Sequence, residues 1–208
     1  MNTKPIRLLA VSLAAVTMAI AQQPATPGQP PGATPPPAAP GGTTPATPAT
    51  PKISERKLEQ IHRNNRRNAE EMMAKDSRLY SGKEMADLEQ TYQIANKNTR
   101  SPEAIEALKK VVDKYPKSNR AGCAALYLGR WTKGDDQEKY LKLAIEKYSK
   151  CYYLDGTSVG GYARLILGSI YKGSNKNVPA KKLFEEIRKD YADAEDHSDR
   201  LIVDLIPN

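Results

Sequence analysis

Residues 102–115 read PEAIEALKKVVDKY, and residues 178–191 read VPAKKLFEEIRKDY. Each stretch has an alanine, a large apolar residue four positions later, another after three more positions, and a closing tyrosine. This spacing places the four side chains on one face of an α-helix. Ala144, Tyr148 and Cys151 start the same spacing between the two stretches. A recurring pattern of this kind is typical of stacked helical repeats, whose units bury their apolar faces against one another.

Capping residues and apolar stripes predict eight helices and no strands. Ser101 followed by Pro102 is a typical helix start, and Pro116 ends that helix. Ser118 is expected to cap the next helix, and Gly134 to mark the turn after it. The predicted helices cover about residues 53–79, 83–97, 102–115, 118–131, 136–153, 158–171, 178–191 and 193–205. The expected fold class is therefore all-α.

The repeated unit resembles the tetratricopeptide repeat, which is a helix pair of about 34 residues. Three units carry the resemblance, and the third matches best. The matching residues are Leu167, Gly168, Tyr171, Ala180 and Phe184 in the third unit, and Tyr92, Ala95, Ala104, Leu108 and Pro116 in the first. In the second unit Ala144 follows Gly129 three residues too late, which predicts a longer turn around residues 135–138.

This resemblance implies a right-handed solenoid of about three helix hairpins over residues 81–208. A basic helix at residues 53–80 is expected before the hairpins, and a C-terminal capping helix after them. Residues 115–118, followed by 124–129, are similar to a run in periplasmic members such as the barrel-assembly lipoprotein and the Tol-Pal cell-division coordinator. The order of segments differs from the coordinator, because here the proline-rich segment precedes the basic helix.

Residues 1–21 have the features of a secretory signal peptide. Two basic residues precede an uncharged, mainly apolar run, and Ala19 and Ala21 form an A-x-A cleavage site. We therefore expect cleavage after Ala21 and location in the periplasm or cell envelope; an uncleaved anchor is the alternative.

Residues 22–52 are rich in proline, alanine and threonine, which predicts a disordered linker. A ligand for a proline-binding module is the alternative there.

The charge of the chain offers two interpretations. The formal net charge is +8, and its spread over lysine-rich helices is typical of a solvated surface. In the predicted N-terminal helix, Arg63, Arg66 and Arg67 share one face. This face is either exposed to solvent alone or a contact for an anionic membrane or polymer surface.

The sequence contains no recognisable catalytic constellation. It lacks a phosphate-binding loop, a nucleophile elbow and a dinucleotide fingerprint, so we expect no enzyme activity and no cofactor. His62 and His197 have no second histidine or cysteine at metal-ligand spacing, so we expect solvated side chains and no metal site.

Trp131 and the tyrosines fall at helical spacing, which favours packing between repeats over base stacking. No nucleic-acid partner is therefore expected.

Cys123 and Cys151 are predicted to lie on the two helices of the second hairpin. Because the expected compartment is oxidising, a disulfide between them is one interpretation. The other is a pair of small apolar core residues.

In the repeat family the first helix of each unit lines the concave face, so the resemblance implies a partner-binding groove there. Its apolar and cationic side chains would suit an extended protein segment with an acidic residue or a C-terminal carboxylate. The implied groove residues are Glu89, Gln93, Lys97, Leu126, Arg130, Lys133, Tyr162, Leu165, Ser169 and Lys172. Three functions stay open: an envelope adaptor that uses this groove, a tether whose basic helix contacts an anionic surface, and an enzyme of unrecognised type.

Overall fold

The computed structural model describes residues 53–207. This part of the chain is helical, with two isolated β-bridges and no β-strand, which confirms the predicted all-α class. The elements are α1 (Glu55–Leu79), α2 (Gly82–Lys97), α3 (Pro102–Lys114), α4 (Asn119–Trp131), α5 (Gly134–Lys147), α6 (Val159–Gly173), α7 (Asn177–Asp190) and a 3-10 turn (Ile202–Leu205). The predicted signal peptide (1–21) and linker (22–52) lie outside the described residues.

Side-chain caps fix the starts of four helices. The Ser101 hydroxyl accepts the N–H of Ala104, and Ser118 and Ser158 cap α4 and α6 in the same way. Ser81 and Glu84 form a reciprocal capping box at the start of α2. Each such cap satisfies an N–H group that the helix leaves without a partner. These local bonds explain why the sequence predicts these starts to within a residue or two.

Consecutive helices pack in pairs to form the solenoid. The pairs are α2 with α3, α4 with α5, and α6 with α7, and each pair also packs on its neighbours. The recurring apolar face lies in the core, confirming the pattern that the sequence repeats. Its buried members are Ala104, Leu108, Val111, Tyr115, Ala144, Tyr148, Cys151, Ala180, Phe184 and Ile187.

The second hairpin differs from its prediction at both ends of α5. The helix begins at Gly134, so residues 135–138 are helical and do not lengthen the turn. Gly134 has a φ of +62°, a left-handed conformation that glycine adopts easily and that reverses the chain within two residues. α5 ends at Lys147 rather than near residue 153, because the following backbone closes a tight turn in which the Tyr153 N–H donates to Thr157. Gly156, with a φ of +96°, lies inside this turn.

The predicted C-terminal helix at residues 193–205 is largely absent. Only the 3-10 turn forms, and a bridge between Glu195 and Leu201 replaces the rest of the helix. The Asp196 carboxylate accepts the N–H groups of Ser198 and Arg200, and such local bonds compete with helix formation. Buried Leu201 and the 3-10 turn still cover the last hairpin, since the turn contacts both α6 and α7.

α1 packs against α2 and α4. The Asp76 carboxylate accepts the Asn119 N–H, at 2.8 and 2.9 Å, and so caps α4 from another helix. The Asn119 side chain in turn bonds both backbone groups of Tyr152, with its amide donating at 2.8 Å and its oxygen accepting at 2.9 Å. Further along α1, the Asn65 amide donates to the Asp193 carbonyl at 2.8 Å. Polar contacts thus fix α1 at both the middle and the end of the repeats.

Within residues 53–207, no helix combines the length and the apolar character that crossing a membrane requires.

Candidate binding face

The first helices of the three hairpins line one side of the solenoid. α2 contacts α4 and α4 contacts α6, whereas no such contact joins α3 with α5 or α5 with α7 among the described helices. The first helices are therefore closer together than the second ones, which makes theirs the inner side of the curve. We call the surface formed by α2, α4, α6 and the loops beside them the inner face.

The implied groove residues have very different exposures. Leu126 is fully buried and Leu165 is 7% exposed, so the structure contradicts their assignment to an open groove. The physical reason for Leu126 is the central place of α4, which four helices of the repeats and α1 surround. Lys97, Lys133 and Ser169 are exposed, and the remaining five are partly exposed: Glu89, Gln93, Arg130, Tyr162 and Lys172.

Two of the charged groove residues have partners inside the molecule. The Arg120 guanidinium donates to both oxygens of Glu89, at 2.9 and 3.0 Å, and lies over the Tyr92 ring at 4.6 Å. This bidentate pair joins α4 to α2, so Glu89 stabilises the solenoid rather than facing a partner freely. The Lys172 ammonium donates to the Pro207 carbonyl at 3.3 Å, which links α6 to the C-terminal segment.

An aromatic cluster occupies the middle of the inner face. Trp131 stacks on Tyr127, with ring centroids 4.7 Å apart and planes inclined by 21°. Tyr127 also contacts the Tyr92 ring at 6.2 Å and the edge of Tyr153 at 5.2 Å. Tyr92 and Tyr153 are buried, and burial raises the pKa of each well above its usual value, so both hydroxyls stay neutral. Tyr127 and Trp131 are partly exposed above them.

Arg130 and Tyr162 extend this cluster across to α6. The Arg130 guanidinium lies over the Tyr162 ring, 5.3 Å from its centroid, a cation–π arrangement. His197 packs edge-on against both Tyr153 and Tyr162, at 4.6 and 5.8 Å. We name the exposed part of this surface the aromatic–arginine patch and define it as Tyr127, Arg130, Trp131 and Tyr162.

Sequence reasoning placed only half of this patch in the groove. Arg130 and Tyr162 were predicted there, and the structure brings them into contact. Trp131 was assigned to packing between repeats, and its stacking on Tyr127 is such a contact, although part of the ring faces solvent. The spacing of Tyr127 and Trp131, four residues apart on one helix face, is the signal that could have found the pair.

The α1 side chains of Arg63, Arg66 and Arg67 are all exposed. Arg63 pairs with Glu59 at 3.5 Å, Arg66 approaches Asp199 at 3.9 Å, and Arg67 donates to Asn64 at 3.3 Å. These are weak surface contacts, which leave the guanidinium groups accessible.

The histidines are less exposed than expected. His62 and His197 have side chains 25% and 27% exposed, and each contacts a carboxylate, Glu195 and Asp155 respectively. Our expectation of solvated side chains was wrong because the C-terminal segment folds back against α1 and against the 151–158 loop.

Both cysteines are buried and are free thiols in the structure. The Cys123 thiol donates to the Tyr152 carbonyl at 3.4 Å, while Cys151 packs against Gly122. Burial raises the pKa of Cys151 to about 12 and that of Cys123 well above its usual value. This arrangement matches the second interpretation, two small core residues, rather than a disulfide.

We therefore expect two reactive thiols when unreduced protein is denatured, and slow labelling of the native protein at pH 8. The reason is that both groups are buried and protonated at this pH, while thiolate is the reactive form. Labelling with a chromogenic disulfide reagent, with and without denaturant, measures both quantities. A denatured protein without reactive thiols would show that the pair is bonded instead.

Comparison with known proteins gives one match. A family model described as a tetratricopeptide repeat matches residues 93–118, which cover the last turn of α2, all of α3 and the cap of α4. No curated protein and no solved structure matches the chain. Together with the stacked helix pairs, the match supports the tetratricopeptide repeat superfamily for this helical domain.

Proposed function

We propose that this protein is an exported, non-catalytic interaction scaffold that binds a protein segment on its inner face. The observation that carries the proposal is the aromatic–arginine patch, which exposes stacked rings and a guanidinium at the centre of that face. Tetratricopeptide repeats are in general interaction modules without catalysis, which supports the class of function. Tyrosine, tryptophan and arginine are also the residues most enriched at sites that dominate binding energy.

The chemistry of the patch favours a particular kind of segment. The rings of Tyr127 and Trp131 offer apolar faces to a proline, an aliphatic or an aromatic side chain. Arg130, with exposed Lys133 in the turn between α4 and α5, provides positive charge for an acidic residue or a C-terminal carboxylate. The ligand we propose is therefore an extended segment with an apolar side chain next to a carboxylate.

The periplasm or cell envelope is the location that we propose. The support is the charged start, the short apolar run and the A-x-A site of residues 1–21. Residues 22–52 would then tether the repeats, as a proline-rich spacer whose one charged residue is Lys52. We expect the intact mass of protein from the envelope fraction to correspond to a chain that begins at Gln22. A mass that includes residues 1–21 would reject cleavage.

A second candidate function is contact with an anionic surface through α1. Its support is the exposure of Arg63 and Arg66, whose side chains are 69% and 58% accessible. Binding of this kind weakens steeply as ionic strength rises, whereas contacts with stacked rings do not. Binding to anionic vesicles, measured at low and high salt, separates the two candidates.

We expect Arg130→Glu to weaken binding of the envelope partner at least tenfold. The substitution removes the guanidinium over Tyr162 and repels the carboxylate that we propose for the ligand. Affinity is measured by calorimetry, after the partner has been recovered from native envelopes with the unaltered protein.

Lys189→Glu is the matched control, because it reverses one charge on exposed α7, away from the inner face. Lys189→Glu should keep the thermal midpoint of the parent, since exposed substitutions usually change stability within about 0.5 kcal/mol. Arg130→Glu, at a partly exposed position, also loses the cation–π contact with Tyr162, which contributes about 0.5–1 kcal/mol at such sites, so this variant should still fold. Equal affinities for the two variants would refute the patch as the binding site.

A further inference from the structure

Three potential metal ligands that are distant in sequence meet where α1 contacts the C-terminal segment. They are His62 of α1, and Glu195 and Asp199 of the segment that replaces the predicted last helix. One ligand atom from each, the imidazole Nδ1 and a carboxylate oxygen from either acid, lies within 4.8 Å of the other two. We call this group the α1 clamp.

Glu195 is the buried member of the group. Its side chain is only 1% exposed, and its Oε1 atom lies against the Nδ1 atom of His62 as an ion pair. Neither atom has another polar partner among the described residues. A buried carboxylate needs a positive charge or a hydrogen-bond donor beside it, and a metal ion between these two atoms would supply that charge.

The other oxygen of Glu195 is fixed by a neighbour. The Asn65 amide donates to Oε2 at 3.0 Å and also to the Asp193 carbonyl at 2.8 Å. This bond leaves Oε1 directed to His62 and Asp199. Hydrogen bonds of this type, from outside a metal's own ligands, commonly orient carboxylate ligands.

Asp199 completes the group on its solvent side. Its backbone has a φ of +57°, and the Asp196 carboxylate holds the turn by accepting the N–H groups of Ser198 and Arg200. The Asp199 side chain is 53% exposed, which leaves a path for an ion from solvent. The Arg66 guanidinium lies 3.9 Å from a carboxylate oxygen of Asp199. This is a long ion pair, and a metal ion could take the place of the guanidinium beside Asp199.

We propose that the α1 clamp binds a divalent transition-metal ion, and that zinc fits it best. One imidazole nitrogen and two carboxylate oxygens are ligands that zinc accepts, with bonds of about 2.0–2.2 Å. Such bonds hold ligand atoms about 3–4 Å apart, so small side-chain rotations suffice from the separations observed. Water would complete the coordination on the exposed side.

Binding of zinc would join α1 to the end of the repeat domain. The ion stabilises the folded state only, because the unfolded chain does not bring His62 near Glu195 and Asp199. Calorimetric titration of metal-free protein with zinc chloride should therefore show one site. At a zinc concentration about 100 times the dissociation constant, we expect the thermal midpoint to rise by about 8 °C.

His197→Gln gives a matched control for His62→Gln. The side chains of the two histidines are 25% and 27% exposed, and each contacts one carboxylate. Among the described residues, only His62 belongs to a three-residue cluster of potential metal ligands, because Asp199 adds a second carboxylate there. We expect His197→Gln to bind zinc like the parent protein and His62→Gln to bind at least tenfold more weakly. Asp199→Asn, at an exposed position, should also weaken zinc binding tenfold without unfolding the protein.

Two results would overturn the metal site. One is a titration of the parent protein without a one-to-one binding isotherm for zinc, which would leave His62 and Glu195 as a direct ion pair. The other is equal weakening of zinc binding in His62→Gln and His197→Gln, which would indicate binding to accessible histidines in general.

Discussion

Gly160→Ala is expected to destabilise the protein by about 3 kcal/mol and to lower its thermal midpoint by roughly 10 °C. A β-carbon at this position would lie 2.8 Å from the Ser149 Cα and would approach the Ser149 carbonyl oxygen still more closely. These are backbone atoms of the turn that follows α5, so they cannot rotate away. The close approach of α6 to this turn requires a residue without a side chain.

Gly173→Ala, in the same helix, is the control for this substitution. No atom lies within 4 Å of a β-carbon built on Gly173, so alanine meets only open space there. Because alanine favours helices more than glycine, stability should be unchanged or higher by up to about 1 kcal/mol. Urea unfolding followed by circular dichroism measures both variants. A loss of similar size in both would mean that the close approach to Ser149 does not determine the result.

Asn119→Ala is expected to destabilise the protein by about 2–4 kcal/mol. The substitution removes both hydrogen bonds to the Tyr152 backbone, at 2.8 and 2.9 Å, and leaves an N–H and a carbonyl without these partners. Each partly buried polar group that loses its partner costs about 1–3 kcal/mol. The helix cap from Asp76 persists, since it binds the Asn119 main chain.

Asn96→Ala is the matched control, because it removes an exposed asparagine whose amide bonds Gln93 on the surface of α2. Water replaces such a bond, so the change in unfolding free energy should be within about 0.5 kcal/mol. The same urea titration serves both variants. If Asn119→Ala were as mild as this control, the Asn119 side chain would not join α4 to the 151–158 loop.

The helices were predictable because their causes are local. Ser101 and Ser118 cap helices through bonds to backbone three residues away, and the spacing of Ala180, Phe184 and Ile187 is a helical period. The end of the chain was not predictable in this way. There the side-chain bonds of Asp196 outcompete the helix, although the same residues have an apolar helical stripe.

The candidate site depends on contacts between distant segments, which explains why it was only partly predicted. The family's register predicts Arg130 and Tyr162 on the same side of the solenoid, and the structure brings these two side chains into contact. Leu126 was placed wrongly, since its burial arises from helices on several sides of α4. The meeting of His62 with Glu195 depends on how α1 and the C-terminal segment fold together, which no local spacing encodes.

Site-specific photo-crosslinking in native envelopes tests the central claim, that the inner face binds a protein segment. A photoreactive residue replaces Trp131 of the aromatic–arginine patch in one variant and exposed Lys189 of α7 in another. The account predicts a protein adduct at position 131 that disappears when Arg130→Glu is added, and no such adduct at position 189. Equal adducts at both positions, or none at position 131, would contradict it.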